Sequence, residues 1–482
     1  MWSGFFLFWL LSGSLFIFWC WFFDVVFVKS LLEFRSVNDY LPQVSLLLTA
    51  LFSWCYFNLY FALIDFPLTS ITWSVLGHES SKSALPIFGL INLYTFPFLY
   101  IFILVTTIAL IFCLSYNRQE AISFYGYIVV IFFAGFLFFS STSVITFFLA
   151  YELFLVPSFL ILYKFAKTRR AIEASYLMFF WTQFGALFLI LSFLYTSLTT
   201  GSTSWNEVRN FNFTPLEASF LTVCWVVGFG VKLPLWPFYG WLPKAHVEAS
   251  TNFSIFLSGV LVKFAFFGLL RCLETLHVDP ACPALIPFLT VGLVDASFKL
   301  FLQTDLKKIV AYATVIEMHW LTICIFSGSS PIMLAGLAML VNHALLSANA
   351  FLLVDAINRR FKTRLITELS GLNLLCPKLF ILSFINCLLF LGFPGSLTFV
   401  SEILFFSFLI DLFPAITLLL VVFLYLLAPT FFFRSWFNAM FGMSQFFSSK
   451  PPVDLSVREF LAIASLEALI YYLGISWQIF FI

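Results

Sequence analysis

Seven ionisable side chains, Glu152, Lys232, Lys263, Asp295, Glu317, His343 and Glu402, stand inside long apolar runs of the sequence. Placing such a group in hydrocarbon costs about 2.5–3.5 kcal/mol, so each needs a partner or water. Burial penalises the charged form by up to about 3–5 pKa units, which brings amines and carboxylates alike within reach of physiological pH. Opposite charges brought to about 7 Å at an effective dielectric near 20 attract by roughly 2.4 kcal/mol, close to two pKa units. Making or breaking one such pair can therefore load or release a proton. The scale suits work against a membrane potential, since moving one charge against 100 mV takes about 2.3 kcal/mol. Acids, amines and an imidazole spread over several apolar runs read as a proton relay lying parallel to the membrane plane.

The elements that carry them follow from composition. Of 482 residues, 62% are hydrophobic and only 10% charged, against roughly 25% charged in a soluble domain. That excludes an ordinary water-soluble protein. A net charge of +1 leaves no basic field to gather nucleic acid. The expected fold is all-α and polytopic, with about fourteen transmembrane helices near 3–28, 43–64, 86–115, 121–139, 142–163, 172–198, 216–243, 251–270, 284–304, 308–326, 331–357, 374–409, 412–433 and 456–481. The N-terminal run lacks a basic flank and a cleavage signal, so it reads as a retained first span. Positive charge tests the count, because it concentrates in loops on the cytoplasmic or matrix side. Nineteen of the 24 Lys and Arg are assigned to connections after odd-numbered spans, counting Lys307 and residues near span ends such as Lys299. Both termini are then expected on the outer side.

Internal symmetry is visible in the interruptions. The seventh span is broken at Lys232-Leu-Pro234 and at Trp236-Pro237, and the twelfth at Gly392-Phe-Pro394-Gly395. Five spans separate them, and five is odd, so the repeat is inverted. Ala150-Tyr151-Glu152 in span 5 and Ala311-Tyr312 with Glu317 in span 10 echo one another. Paired broken helices in an inverted repeat point to a transport site near the bilayer midplane. Pro234 also removes an N–H, which should leave the Gly230 carbonyl open to water or a cation. The expected divisions are 1–120 (helices 1–3), 121–272 (first repeat), 273–434 (second repeat) and 435–482 (helix 14).

Other chemistry is not signalled. The nine cysteines form no C-x-x-C pair, which argues against an iron–sulfur or zinc site. Gly228-Phe-Gly230 does not continue as a dinucleotide fingerprint. The five histidines lack the paired spacing of haem ligands, and His246 and Glu248 read as solvated loop residues. No cofactor or metal is expected on this chain.

Three stretches carry a resemblance: Lys232-Leu-Pro-Leu-Trp-Pro-Phe-Tyr-Gly-Trp-Leu-Pro-Lys-Ala-His-Val-Glu-Ala249, Leu261-Val-Lys-Phe-Ala-Phe-Phe-Gly-Leu-Leu-Arg271 and Gln303-Thr-Asp-Leu-Lys-Lys-Ile-Val-Ala-Tyr312. Over about residues 140–405 the chain resembles the antiporter-like, proton-pumping subunits of respiratory complex I, and within them the mitochondrial subunit 4 family. The resemblance implies two inverted five-helix repeats in the mitochondrial inner membrane, with lipid and other membrane-arm subunits, especially the antiporter-like subunits 2 and 5, as partners. It implies membership of a NADH:ubiquinone reductase in which NADH, flavin, iron–sulfur clusters and ubiquinone belong to other chains and this one performs no redox step. Residue by residue, it maps relay roles onto Glu152, Lys232, Lys263, His343 and Glu402. A carboxylate at 402 matches subunit 4, whose paralogues usually carry Lys there. Two departures stand out: Glu317 replaces a family histidine, and Ser250 replaces a proline. The relay is thus expected to run from a switchable Glu152/Lys232 pair through Lys263 and Glu317 or His343 to Glu402. Rival readings are a free-standing cation/proton antiporter subunit and a membrane scaffold whose charges only clip helices together.

Overall fold

The computed structural model describes residues 95–111, 118–166, 168–276, 284–442 and 452–477. The first two expected spans, both ends of the third and the last residues of the fourteenth lie outside these residues. Within them the chain is helical: α1 (Thr95–Ile111), α2 (Arg118–Ser140), α3 (Val144–Leu153), α4 (Leu155–Lys164), α5 (Arg169–Thr200), α6 (Pro215–Lys232), α7 (Trp241–Glu248), α8 (Thr251–Phe256), α9 (Val262–Leu273), α10 (Leu285–Phe301), α11 (Leu306–Phe326), α12 (Ser330–Phe361), α13 (Pro377–Phe390), α14 (Leu397–Leu412), α15 (Pro414–Leu420), α16 (Ala428–Met440) and α17 (Val457–Ile475). Helices prevail because hydrocarbon offers no partner to a free backbone N–H or C=O. Six described segments are long and apolar enough to cross a membrane: 144–164, 169–200, 215–232, 251–273, 306–326 and 330–361. The protein is therefore a multi-pass helical membrane protein, with no β-strand among the described residues.

Side-chain caps mark where many helices begin. Thr214 and Glu217 form a reciprocal capping box with Pro215 behind it. Ser456 and Glu459 do the same for α17. Ser143, Thr168, Ser250, Asp305 and Ser396 each accept a backbone N–H of the first turn, satisfying donors that the helix itself cannot.

The core sits on α12, whose apolar stretch is wholly buried. Around it pack α1, α8, α11, α13, α14 and α17. In the other half α5 packs on α6, with Gly185 and Gly228 so close that a Cβ on either would strike the opposite helix. The outer face of α5 exposes Phe180, Leu187 and Leu194, as expected where lipid or a neighbouring subunit covers it.

The expected breaks occur, with sharper limits. The seventh span stops at Lys232 and resumes as α7 after a single 3₁₀ turn, Phe238–Gly240. The twelfth, read as one run over 374–409, is two helices separated at 391–396, where Gly392 (φ +66°) and Gly395 (φ +91°) take left-handed conformations that disfavour a side chain. Two isolated backbone bridges mark corresponding places. Ser143, just before α3, pairs with Ser204 beyond α5, and Asp305, just before α11, pairs with Leu365 beyond α12.

Candidate functional site

Lys232 ends α6, and its ammonium is buried. It donates to the Tyr151 carbonyl at 3.3 Å and lies 3.6 Å from the centroid of the Tyr151 ring, a cation–π contact strengthened by the dry surroundings. Glu152, the next residue along, accepts from Gln183 Nε2 at 3.3 Å, while its Oε1 is buried with no partner. The amine and the carboxylate are thus neighbours without being bonded.

The expectation that Pro234 leaves the Gly230 carbonyl open is not met. Leu235 N–H reaches it at 2.8 Å, and Trp241 Nε1 donates to the Val231 carbonyl at 2.8 Å. The chain turns just enough for a later donor to replace the one proline lacks. His319 then pins the break to α11: Trp236 N–H donates to its Nε2 at 2.8 Å, and its Nδ1 faces the Val315 carbonyl at 2.8 Å. Those two bonds select the tautomer with the proton on Nδ1. Gly292 makes room, since a Cβ there would fall 2.3 Å from His319 Nε2.

Lys263 follows a π-helical turn, Leu257–Leu261. Widened turns of this kind recur at functional sites. Here the turn offers the Ser258 carbonyl, to which Lys263 Nζ donates. Glu317 on α11 accepts a hydrogen bond from His343 Nδ1 on α12, and both side chains are buried. His343 Nε2 has no partner among the described residues. Between Glu317 and Glu402 lies a cavity of about 50 Å³, lined also by Thr398, Met339 and Trp320. Glu402 Oε2 and Thr398 Oγ1 have no partner among the described residues, so this largely apolar cavity, large enough for water, has polar groups on its lining residues that water can bond. Gly392 shapes it, because a Cβ at that position would stand 2.5 Å from Glu402 Oε2.

The structure thus draws Lys263, Glu317, His343 and Glu402 into one buried region and keeps Lys232 beside Glu152. It separates Asp295 from the line. That carboxylate is bonded by Tyr239 and by Lys299, whose Nζ lies 2.8 Å away on the same helix and is about half exposed. Lys299 and Lys307, assigned to connections, are helical residues. Lys307 is buried and donates to the Ala249 carbonyl. His246 and Glu248 are not loop residues but lie on α7, where the half-buried Glu248 accepts from Thr168 Oγ1 at 2.8 Å. His246 is fully buried, stacked on Phe351 at 4.9 Å, with neither ring nitrogen partnered. Their loop-like sequence, between Pro243 and Ser250, hid a short helix folded inward. Near it a polar cavity of about 350 Å³ is lined by Thr168, Glu248, Asn252, Lys307, Asp355 and Arg364.

Glu467 on α17 also belongs to the buried ionisable groups, accepting from Asn349 Nδ2 at 3.0 Å. The signal was available, since it interrupts the apolar run 456–481 just as the others interrupt theirs.

A multi-pass helical bundle with broken helices and a chain of buried acids, amines and imidazole defines a membrane transport subunit of the antiporter-like class. The chain belongs to the NADH:quinone oxidoreductase/Mrp antiporter transmembrane family, which matches residues 141–428. NADH-ubiquinone oxidoreductase chain 4 of Paramecium tetraurelia is 32% identical over 369 residues, covering 77% of this chain and 78% of that one. Among solved structures, a chain of respiratory complex I from Thermus thermophilus with bound NADH superposes with a TM-score of 0.71 at 20% identity, over 81% of this chain and 82% of that chain. A chain of the Mrp complex from Dietzia sp. DQ12-45-1b superposes at 0.69 and 24% identity, over 80% of this chain and 42% of that chain.

Proposed function

We infer that this chain is an antiporter-like membrane-arm subunit of respiratory complex I in the mitochondrial inner membrane, and that it moves protons while NADH oxidation and quinone reduction take place on other chains. Flavin, iron–sulfur clusters and quinone are assigned to those chains, and the antiporter-like subunits 2 and 5 to its flanks. Glu152 and Lys232 are the switchable pair, Lys263 and the Glu317–His343 pair carry the proton inward, and Glu402 receives it. The cavity that joins Glu317 to Glu402, with unpartnered polar atoms at its wall, is the observation that carries this reading. Water in this cavity is assigned the step between Glu317 and Glu402, which no direct hydrogen bond spans.

Fourteen spans and two inverted repeats over 121–272 and 273–434 complete the reading, with residues 1–120 and 435–482 outside the repeats. The matching bridges Ser143–Ser204 and Asp305–Leu365, and the two broken helices, support the repeats. The test is proton translocation per electron by the intact complex in liposomes. Glu152→Gln, Lys232→Met and Glu402→Gln should each lower it, and an unchanged ratio in all three overturns the proposal. Co-purification with NADH- and quinone-reactive chains separates it from a free-standing cation/proton antiporter subunit.

A further inference from the structure

The strip of amides between α12 and α17 belongs to no part of the relay described so far. Asn342 and Asn349 are seven residues apart on α12, hence on one face and about 10 Å apart along the axis. Both are fully buried, and the Oδ1 of each lacks a partner among the described residues. Asn386 on α13 is buried, with neither amide atom bonded among the described residues. Helices α12, α13 and α17 pack against one another, and Glu467 acts electrostatically on Cys387, the residue after Asn386. Four amide atoms without a partner among the described residues therefore lie on the packed helices α12 and α13, and one of these amides, Asn349, bonds the Glu467 carboxylate. Orphaned polar atoms of this kind are satisfied by ordered water, since leaving each unmade costs about 1–3 kcal/mol.

The strip begins at the cavity between Glu317 and Glu402. Met339 lines that cavity, and its sulfur receives both Asn342 Nδ2 and Ser401 Oγ at 3.4 Å. Asn342 is also the chain neighbour of His343. At the far end, Asn349 Nδ2 is the donor that holds Glu467. No cation faces Glu467 within ion-pair distance among the described residues, so a single amide donor is a poor partner for a permanent charge in this setting.

We propose that Glu467 is a further proton-carrying residue, reached from the Glu317–Glu402 cavity along the hydrated Asn342–Asn349 strip, so that the relay continues onto the C-terminal helix. This rests on the proton-relay reading above. The carboxyl group takes up a proton from water in the strip and returns it to water, with no bond formed except O–H and no charge left behind over a cycle. A proton resting on Glu467 makes it neutral, which removes the penalty that burial imposes on the carboxylate.

Glu467→Gln separates carriage from packing, because a glutamine carbonyl still accepts from Asn349 but cannot exchange a proton. In the assembled complex, the variant should lower proton translocation per electron several-fold while electron transfer from NADH to a hydrophilic acceptor stays at its normal rate. The infrared difference spectrum between resting and NADH-driven complex should lose one carbonyl stretch of a protonated carboxylic acid. Glu467→Asp should restore much of the coupling and shift that band rather than abolish it. Normal coupling in Glu467→Gln with loss of coupling in Lys232→Met overturns the role of Glu467 alone. Normal coupling in both overturns the relay as well. If the glutamine variant fails to assemble, a turnover-dependent carboxyl band that does not shift in Glu467→Asp overturns the inference by itself.

Discussion

Glu317 on α11 and His343 on α12 share a hydrogen bond in the buried heart of the bundle. Both side chains are buried, so the carboxylate that departs from the expected histidine at 317 has its hydrogen-bond donor in His343. Removing one partner of a buried pair strands the other at a cost of about 3–5 kcal/mol, whereas replacing both by apolar groups can be neutral. His343→Leu should therefore lower the thermal midpoint of the assembled complex. His343→Leu with Glu317→Leu should recover the midpoint but not proton translocation. Recovery of both would remove this pair from the relay.

Tyr151 governs where the Lys232 ammonium rests. Its ring and its carbonyl both hold the amine, and its hydroxyl is buried without a partner. Tyr151→Phe should thus leave proton translocation near normal. Tyr151→Leu removes a desolvated cation–π contact of about 2 kcal/mol and shifts Lys232 toward Glu152. A reduced proton-to-electron ratio in the leucine variant, with the phenylalanine variant intact, is the expected pattern.

Gly392 should resist any side chain for two reasons at once. Its φ of +66° penalises an L-residue, and a Cβ would meet Glu402 Oε2 at 2.5 Å. Backbone strain alone costs about 1–3 kcal/mol. Gly392→Ala should reduce coupling as Glu402→Gln does, and a shortened acid, Glu402→Asp, should partly suppress the defect. Absence of suppression would mean that the strain, not the displaced carboxylate, is responsible.

His319 is structural in this arrangement, holding Trp236 N–H on Nε2 and engaging the Val315 carbonyl through Nδ1. His319→Phe leaves a backbone donor in the seventh-span break unmatched, a loss of about 1–3 kcal/mol. Thermal unfolding of the complex should report it. A variant that loses proton translocation at unchanged stability would instead place His319 among the carriers.

Residue types and their order are enough to give the membrane class, the broken helices and the identity of Lys232, Lys263, Glu317, His343 and Glu402 as groups out of place in hydrocarbon. These are properties of residue type and chain order: transfer cost adds along the chain, and a proline or a glycine pair interrupts a helix wherever it stands. Glu467 was legible on the same ground. Which group meets which is settled only by the packing of the folded chain. That His343 faces Glu317, that Lys232 rests on Tyr151 and not on Glu152, that Leu235 rather than water fills the Gly230 carbonyl, and that His246 turns inward all depend on how each helix is rotated against its neighbours. Rotation is set by the packing of side chains from distant parts of the chain, and in helices apolar on nearly every face no local periodicity records it.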